Sequence, residues 1–427
     1  MKGSRLRISL SRVQLSRGHR LALAIAAVLA MAAGVAVWRR LHPLPKLRNI
    51  ERWANAAQWE RAEAAATEYV ARRPRDPDGL MLAARVAAAR GEMARCVSLL
   101  ERVPSDSPIK IEALLRQAQA LQALGYGQRQ ERAWLELIRA AERHAGKESA
   151  QCLRAQEELV ALYFLERRAA EAKALVWEMY PRHREKWRLL IALARIEGKP
   201  ARASLATPAL ERFVAVDAED LPAHRALATY ALDDRPDDAL ALARHCMNLA
   251  PDDGASLEVL IEAHLRLNLW HEIDSILSRD DLPAERPHLW RLRGQWHLQQ
   301  GRLVEAVAAL REALRLNPFD QTTQYQLGQA LRRGTTIEAA QQQILQSNEL
   351  RGHQDAIATY LNSFVSDDPQ TWETPPPEKC VELSDHCRGL GRRDEALGWL
   401  DEALRRQPDF APARDALDEL NRSEQSP

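Results

Sequence analysis

Two short stretches of this sequence come close to known catalytic or ligand-binding motifs. Gly389-Leu-Gly391 has the glycine spacing of part of a phosphate-binding loop, but it falls at a predicted turn between helices and not after a strand. His271-Glu272 lacks the second histidine that a zinc-binding helix requires. The sequence also has no nucleophile elbow and no Walker loop. These observations predict a protein that is not an enzyme and holds no metal or cofactor.

Two cysteines, Cys380 and Cys387, lie seven residues apart on one predicted helix. At a rise of about 1.5 Å per residue their Cα atoms would be about 10 Å apart. A disulfide requires Cα atoms within roughly 7 Å, so the two cannot bridge without melting the helix. Cys96 and Cys246 fall at similar inward-packing positions. We therefore interpret the cysteines as small core residues, with a metal or redox role as the alternative.

A third group of residues has side chains suited to binding rather than to reaction. They are polar, recur at helical spacing on two consecutive predicted helices, and are amide-rich and locally basic. The group consists of His288, Arg291, Gln295, Gln299, Tyr325, Gln329, Arg332 and Arg333. Such a face suits extended peptide backbones and carboxylates. An ordinary solvated helix face is the alternative.

The composition favours a helical protein and argues against nucleic-acid binding. Hydrophobic residues make up 46% of the 427 residues and aromatic residues only 5%, and much of the apolar content is the helix formers Ala and Leu. Residues 1–50 carry ten Lys or Arg and no acid, which leaves 50 basic and 59 acidic residues, a balance of −9, in 51–427. A nucleic-acid binder should carry its basic face on the folded part, which is mildly acidic here. The basic residues are 52 Arg against 8 Lys, a bias typical of a GC-rich bacterial genome.

The apolar run at 21–38, LALAIAAVLAMAAGVAVW, contains no charged residue. It is long enough to cross a bilayer, and Arg20 and Arg39 bracket it. We predict a basic arm over 1–20 and a single transmembrane signal anchor over 21–38. The alternatives are a cleaved signal peptide and a buried soluble helix. Six basic residues precede the run and five follow within 39–52, so the positive-inside rule favours a single-pass protein with its folded part on the extracytoplasmic side.

A repeat occupies most of the remaining chain. Gly301, Ala306, Ala313 and Pro318 are separated by five, seven and five residues, and the same spacing returns in the unit that closes at Pro408. A tight turn between helices favours Gly, a helix crossing favours a small residue, and Pro ends the second helix. We expect Gly294 to face Ala306 where two helices cross. The pattern predicts a series of helical hairpins.

The unit from Pro287 to Asp320, with Trp290, Gly294, Gly301 and Pro318, resembles the tetratricopeptide repeat family, here of a bacterial type. The resemblance implies an all-α fold, a right-handed superhelical solenoid of tetratricopeptide-type helical hairpins, which the anchor would precede as one transmembrane helix. It also implies that Trp290 is a core residue and that the first helices of the hairpins form a partner-binding groove. The polar residues from His288 to Arg333 are our candidates for that groove.

The predicted array covers 43–365, a proline-containing loop covers 366–376, a final repeat covers 377–410, and a capping helix covers 411–423. The units are 43–76, 77–110, 111–150, 151–184, 185–219, 220–253, 254–286, 287–320, 321–365 and 377–410. Unit 185–219 departs from the spacing after Gly198.

The organisation predicts a protein–protein interaction scaffold, tethered to the membrane, that recruits or assembles proteins at the bacterial envelope. The expected partner is a protein or peptide, with no nucleic acid and no small-molecule substrate. The alternative is a non-catalytic regulatory or substrate-presenting subunit of an envelope enzyme complex.

Overall fold

The computed structural model describes residues 44–146, 149–183, 185–198, 202–279, 283–334, 337–365 and 372–424. Within these ranges every regular element is a helix, which confirms the predicted all-α class for this part of the chain. The helices are α1 (Leu47–Asn55), α2 (Trp59–Arg72), α3 (Pro77–Ala89), α4 (Met93–Glu101), α5 (Lys110–Leu124), α6 (Gly127–Ala145), α7 (Ala150–Leu165), α8 (Ala169–Met179), α9 (Lys186–Gly198), α10 (Ala203–Val216), α11 (Leu221–Ala231), α12 (Pro236–Leu249), α13 (Gly254–Arg266), α14 (Trp270–Leu277), α15 (Pro287–Gln299), α16 (Leu303–Leu316), α17 (Gln321–Arg333), α18 (Ile337–Phe364), α19 (Pro377–Gly389), α20 (Arg393–Arg406) and α21 (Ala411–Glu424).

The basic arm at 1–20 and the anchor at 21–38 lie outside the described residues. Among the helices of the ranges given above, none is both long enough and apolar enough to cross a bilayer.

The chain divides into two compact units, Met1–Ala113 and Leu114–Pro427. In the first unit α2 packs between α1 and α3, and α3 also packs against α4. The hydroxyl of Tyr69 donates to the Asp76 carboxylate at 2.7 Å, and the same carboxylate accepts from the Gly79 amide at 3.2 Å and so caps α3. Gly79 lies so close to the Tyr69 ring that a Cβ atom would clash with it. Side-chain capping and a close helix approach therefore fix this hairpin.

In the second unit α15 and α16 form a regular hairpin. Gly301 at its turn has φ +70°, the left-handed conformation in which glycine carries no steric penalty. A Cβ atom on Gly294 would lie 2.6 Å from Cγ of Leu310, so the close approach predicted for Gly294 is made with Leu310 and not with Ala306. Ala306 is fully buried. The small residues that the repeat spacing identifies therefore do lie in the packed interior of this hairpin.

Helix α9 packs against its sequence neighbour and against two helices that are distant in sequence. It contacts α8, α18 and α20, and Tyr180, just before it, donates from its hydroxyl to the Gly398 carbonyl at 3.3 Å. Lys186 Nζ lies 3.2 Å from Asp401 Oδ2. One apolar cluster, which includes Trp187 and Trp399, joins α8 and α9 to α18–α21. We call this arrangement the α9–α20 junction.

Helix α10, the next along the chain, packs against α11. Its Arg212 donates from Nη2 to the Gln122 carbonyl at 3.3 Å. The Phe213 ring lies against Gly127, where a Cβ atom would be 2.8 Å from Cδ2 of the ring. The two helices of the predicted unit 185–219 therefore have different packing partners, at the place where the sequence departs from the repeat spacing.

Candidate functional site

The first helices of successive hairpins, α11, α13, α15 and α17, contact one another in order. The eight predicted groove residues lie on α15 and α17, so the structure brings them to neighbouring helices. Gln299, Tyr325, Arg332 and Arg333 are exposed, whereas His288, Arg291, Gln295 and Gln329 are half-buried. Together with Glu258, Glu262 and Arg266 of α13, we call these residues the polar wall.

The acidic residues of α13 were not predicted from the sequence. Glu258 and Glu262 stand one repeat, 33 residues, before Arg291 and Gln295, and that register is the signal that would have found them. The His288 ring lies between them, with Nε2 at 3.4 Å from Glu262 Oε2 and Nδ1 at 3.8 Å from Glu258 Oε2. Arg286 Nε is 2.6 Å from Glu258 Oε1. The carboxylates of α13 therefore contact basic side chains at the start of α15.

The pKa of the Glu262 carboxyl reflects its basic neighbours. Burial alone would raise the pKa of its carboxyl, but the contact with His288 and the charges of Arg291 and Arg266 lower that pKa to about 2. Arg266 also lies 2.7 Å from Asp233 at the end of α11. This half of the polar wall is a set of mutually satisfied charges.

The edge formed by the ends of α15 and α17 is different. Neither helix contains an Asp or a Glu. Arg332 Nη2 donates to Gln329 Oε1 at 2.5 Å, and Arg332 and Arg333 are both exposed. Gln326 donates to Gln295 at 3.5 Å across the two helices. The edge therefore offers hydrogen-bond donors and positive charge to an outside acceptor.

Trp290 is half-buried, so the prediction that it is a core residue was wrong. Its Nε1 donates to the Ala284 carbonyl at 2.8 Å, and the Arg293 guanidinium lies 5.2 Å from its ring centroid. Trp296, six residues further along the chain, is the buried tryptophan of α15, with 3% of its surface exposed. The buried face of α15 carries Leu289, Leu292 and Trp296, and Trp290 lies off that face.

All five cysteines of the chain are buried. Burial raises the pKa of the Cys380 thiol to about 12 and raises that of Cys387 as well. A reactive cysteine needs a lowered pKa. The structure therefore confirms that Cys380 and Cys387 are core residues of α19.

A second concave feature, which the sequence did not predict, lies along α7, α8 and α9. It is an open cavity of about 550 Å³ with an apolar floor and a rim of charged residues, among them Arg188 and Arg195. Trp372, from the proline-containing segment before α19, forms part of its wall. No sequence spacing relates Trp372 to α9, since only the tertiary fold brings the two together. We call this cavity the α7–α9 pocket.

Comparison with known proteins identifies one segment of the chain. The tetratricopeptide repeat family model matches residues 287–330, which contain α15, α16 and most of α17. This segment is a tetratricopeptide repeat, in agreement with the predicted resemblance. A comparison with curated protein sequences gives no match.

Several solved structures are similar to this chain at low sequence identity. PilF of Pseudomonas aeruginosa is 17% identical, with 55% of this chain and 97% of PilF covered and a TM-score of 0.31. A chain of the APC/C Cut9–Hcn1 complex is 13% identical, with 96% of this chain and 91% of that chain covered and a TM-score of 0.32. Yeast Tom70 is 12% identical, with 88% of this chain and 94% of Tom70 covered and a TM-score of 0.29. Similarities this weak do not indicate the function of this chain.

Proposed function

We propose that this protein is a membrane-tethered scaffold that binds an extended segment of a partner protein along the polar wall. The observation that carries the proposal is the donor-rich edge of α15 and α17, where exposed arginines and amides stand on two adjacent first helices that contain no acid. An extended peptide presents backbone carbonyls and carboxylates, the acceptors that such an edge lacks.

Arg291 is held by neighbouring side chains, whereas Arg332 and Arg333 of the polar wall are exposed. Arg291 Nη2 lies 2.7 Å from His288 Nε2, and its Nε lies 4.0 Å from Asp320 Oδ2, so its side chain is held by its own neighbours. A partner carboxylate would therefore meet Arg332 and Arg333 first. Side chains that are already positioned lose less conformational freedom on binding, and this raises affinity.

The tether is proposed from residues 21–38 and its orientation from the distribution of basic residues around them. The repeat domain would then lie on the extracytoplasmic side of a bacterial membrane. The full chain should stay in the membrane pellet after carbonate and high-salt washes, whereas a chain lacking 1–42 should be soluble. A full-length chain released by carbonate would contradict the tether and leave the binding proposal standing.

Site-specific photo-crosslinking tests the binding proposal. A photoreactive amino acid placed at Gln299 or Gln329 should give a discrete adduct of higher mass in the cells that make the protein. The matched control is Arg311, an exposed position on α16 outside the polar wall. Adducts of equal yield from Arg311 and from the wall positions would show that the wall is not the binding surface.

A further inference from the structure

The floor of the α7–α9 pocket is apolar. Val160 and Phe164 of α7 and Ile196 of α9 line it, and each is half-buried, so that apolar surface faces the cavity. Side chains of this type offer no hydrogen bond to an occupant. A polypeptide backbone laid on this floor would therefore leave its own N–H and C=O groups unsatisfied, at considerable cost. A hydrocarbon chain has no such groups.

Arg195, at the rim of this cavity, is held by aromatic rings. Its guanidinium carbon lies 5.7 Å from the ring centroid of Phe164 and 5.8 Å from that of Trp372. These cation–π contacts are electrostatic and do not use the guanidinium N–H groups as hydrogen-bond donors to an acid, and those N–H groups match the fork geometry of a carboxylate. Within the described part of the chain no carboxylate lies within ion-pair distance of Arg195, which is half-buried.

The other charges on the rim already have partners. Arg188 Nε lies 3.0 Å from Glu185 Oε2. His183 Nε2 lies 3.5 Å from Glu157 Oε1. An anionic group that enters the cavity would therefore find Arg195 as the cation that has no acidic partner in the described structure.

We propose that the α7–α9 pocket binds a small amphipathic carboxylate, an unbranched hydrocarbon chain that ends in one carboxylate group. The chain would lie on the apolar floor and the carboxylate would accept two hydrogen bonds from Arg195. The cavity volume of about 550 Å³ falls within the range of small-molecule sites in proteins. This function is separate from partner binding at the polar wall, so either proposal can fail without the other.

The test is photoaffinity labelling of the full chain with a diazirine analogue of decanoic acid, used below its micelle-forming concentration, with labelled peptides mapped by mass spectrometry. Mapping separates labelling of the cavity from partition into membrane or detergent. Labels should fall on α7, α9 and the peptide that contains Trp372. Unlabelled decanoate should compete at least about tenfold better than decanol, because a charged hydrogen-bonded pair contributes that much or more.

Two variants act on different features of the cavity. Arg195→Gln should lower labelling by about tenfold at a subsaturating probe concentration, and Arg195→Lys should restore part of it. Ala161→Phe, at an exposed α7 position on the cavity wall, should lower labelling by filling space while keeping the charge. Arg311→Gln is the matched control for loss of an arginine outside the cavity and should label as the natural chain does.

Three results would overturn the proposal. One is labelling of the cavity that Arg195→Gln and Ala161→Phe both leave unchanged. Another is equal competition by decanoate and decanol, which would make the site merely apolar. The third is stronger competition by an N-acetylated peptide that ends in a leucine carboxylate, which would make the site a receptor for polypeptide ends.

Discussion

The hairpin α15–α16 and the pair α9–α10 stand at equivalent places in the repeat pattern, yet they are stabilised by different contacts. In α15–α16 the close approach is local, between Gly294 and Leu310 of consecutive helices. At the α9–α20 junction the corresponding close approach is between Gly398 and Leu190, where a Cβ atom on Gly398 would lie 2.7 Å from Cδ2 of Leu190. Local spacing is therefore enough to define the first arrangement but not the second, which depends on contacts about 200 residues apart in sequence.

The acidic residues of the two regions also have different surroundings. The polar wall pairs its acids with bases on the neighbouring helix, and Glu262 has a lowered pKa. The α9–α20 junction instead buries Glu395, which is 5% exposed, beside the Cys387 thiol and 3.9 Å from Arg392. Burial raises the pKa of Glu395 to about 7 despite that arginine. The contributions of these two acids to the free energy of unfolding should therefore change with pH in opposite directions.

The largest expected effect is at the core of the junction. Trp399→Ala should lower the free energy of unfolding by about 3–5 kcal/mol, because it removes a fully packed indole. Denaturant unfolding measures the loss. The matched variant Trp290→Ala, at a half-buried position of the regular hairpin, should cost about 1–2 kcal/mol. Equal losses would show that the junction contributes no more than a surface-facing site.

Glu395→Gln should stabilise the protein at alkaline pH. A carboxyl whose folded pKa is about 7 and whose ordinary value is 4.5 binds its proton more tightly in the folded state. Stability that depends on that proton is fully present below about pH 4.5 and is lost as pH rises through 7, a loss of about 3 kcal/mol. The advantage of Glu395→Gln over the natural chain should therefore grow between pH 5 and pH 8. A pH-independent difference in unfolding free energy would contradict the burial of an unfavourable charge here.

Glu262→Gln should have the opposite effect on stability and should destabilise the protein at neutral pH. Its folded pKa of about 2 lies below its ordinary value of 4.5, so the carboxylate contributes stability above pH 4.5 that disappears as pH falls toward 2. The variant should be less stable than the natural chain by about 1–2 kcal/mol at pH 7. The difference should shrink in acid. A variant as stable as the natural chain at pH 7 would mean that the α13–α15 network contributes nothing to the fold.

The smallest effect concerns the turn of the regular hairpin. Gly301→Ala should cost about 1 kcal/mol, because φ +70° is unfavourable for a residue with a Cβ, although nothing crowds the site. The control is Gly352→Ala inside α18, where the Cβ also meets nothing, and alanine should stabilise by up to about 1 kcal/mol. Thermal unfolding compares them. The same sign for both variants would remove the conformational argument for the hairpin turn.

The helical class and the regular hairpins could be predicted because their signals are local. Turn glycines such as Gly301 and Gly391 and the buried Ala306 follow from spacing alone. Other turns have the same left-handed backbone without glycine, at Arg167 and Asn268, and the spacing does not mark them. Sequence reasoning fails where a residue's conformation is imposed by its surroundings.

The candidate sites also contain some residues that local patterns predict and others that only the tertiary structure reveals. The residues from His288 to Arg333 could be grouped because helical periodicity places them on one face of two adjacent helices, and their role in binding stays a prediction. Glu262 could be added only through the repeat register, and its ion pairs needed the structure. The cation–π contact of Arg195 with Trp372 joins two segments about 180 residues apart, so no local pattern could have predicted it.

The most direct test of the scaffold proposal is the yield of the Gln329 photo-crosslink in three forms of the full chain. Arg332→Glu with Arg333→Glu replaces attraction by repulsion at the exposed edge of the polar wall and should lower the yield about tenfold or more. Arg311→Glu with Arg315→Glu makes the same charge change on exposed positions of α16 and should leave the yield unchanged. If the α16 variant lowers the yield as much as the wall variant, or if neither lowers it, the polar wall does not bind the partner.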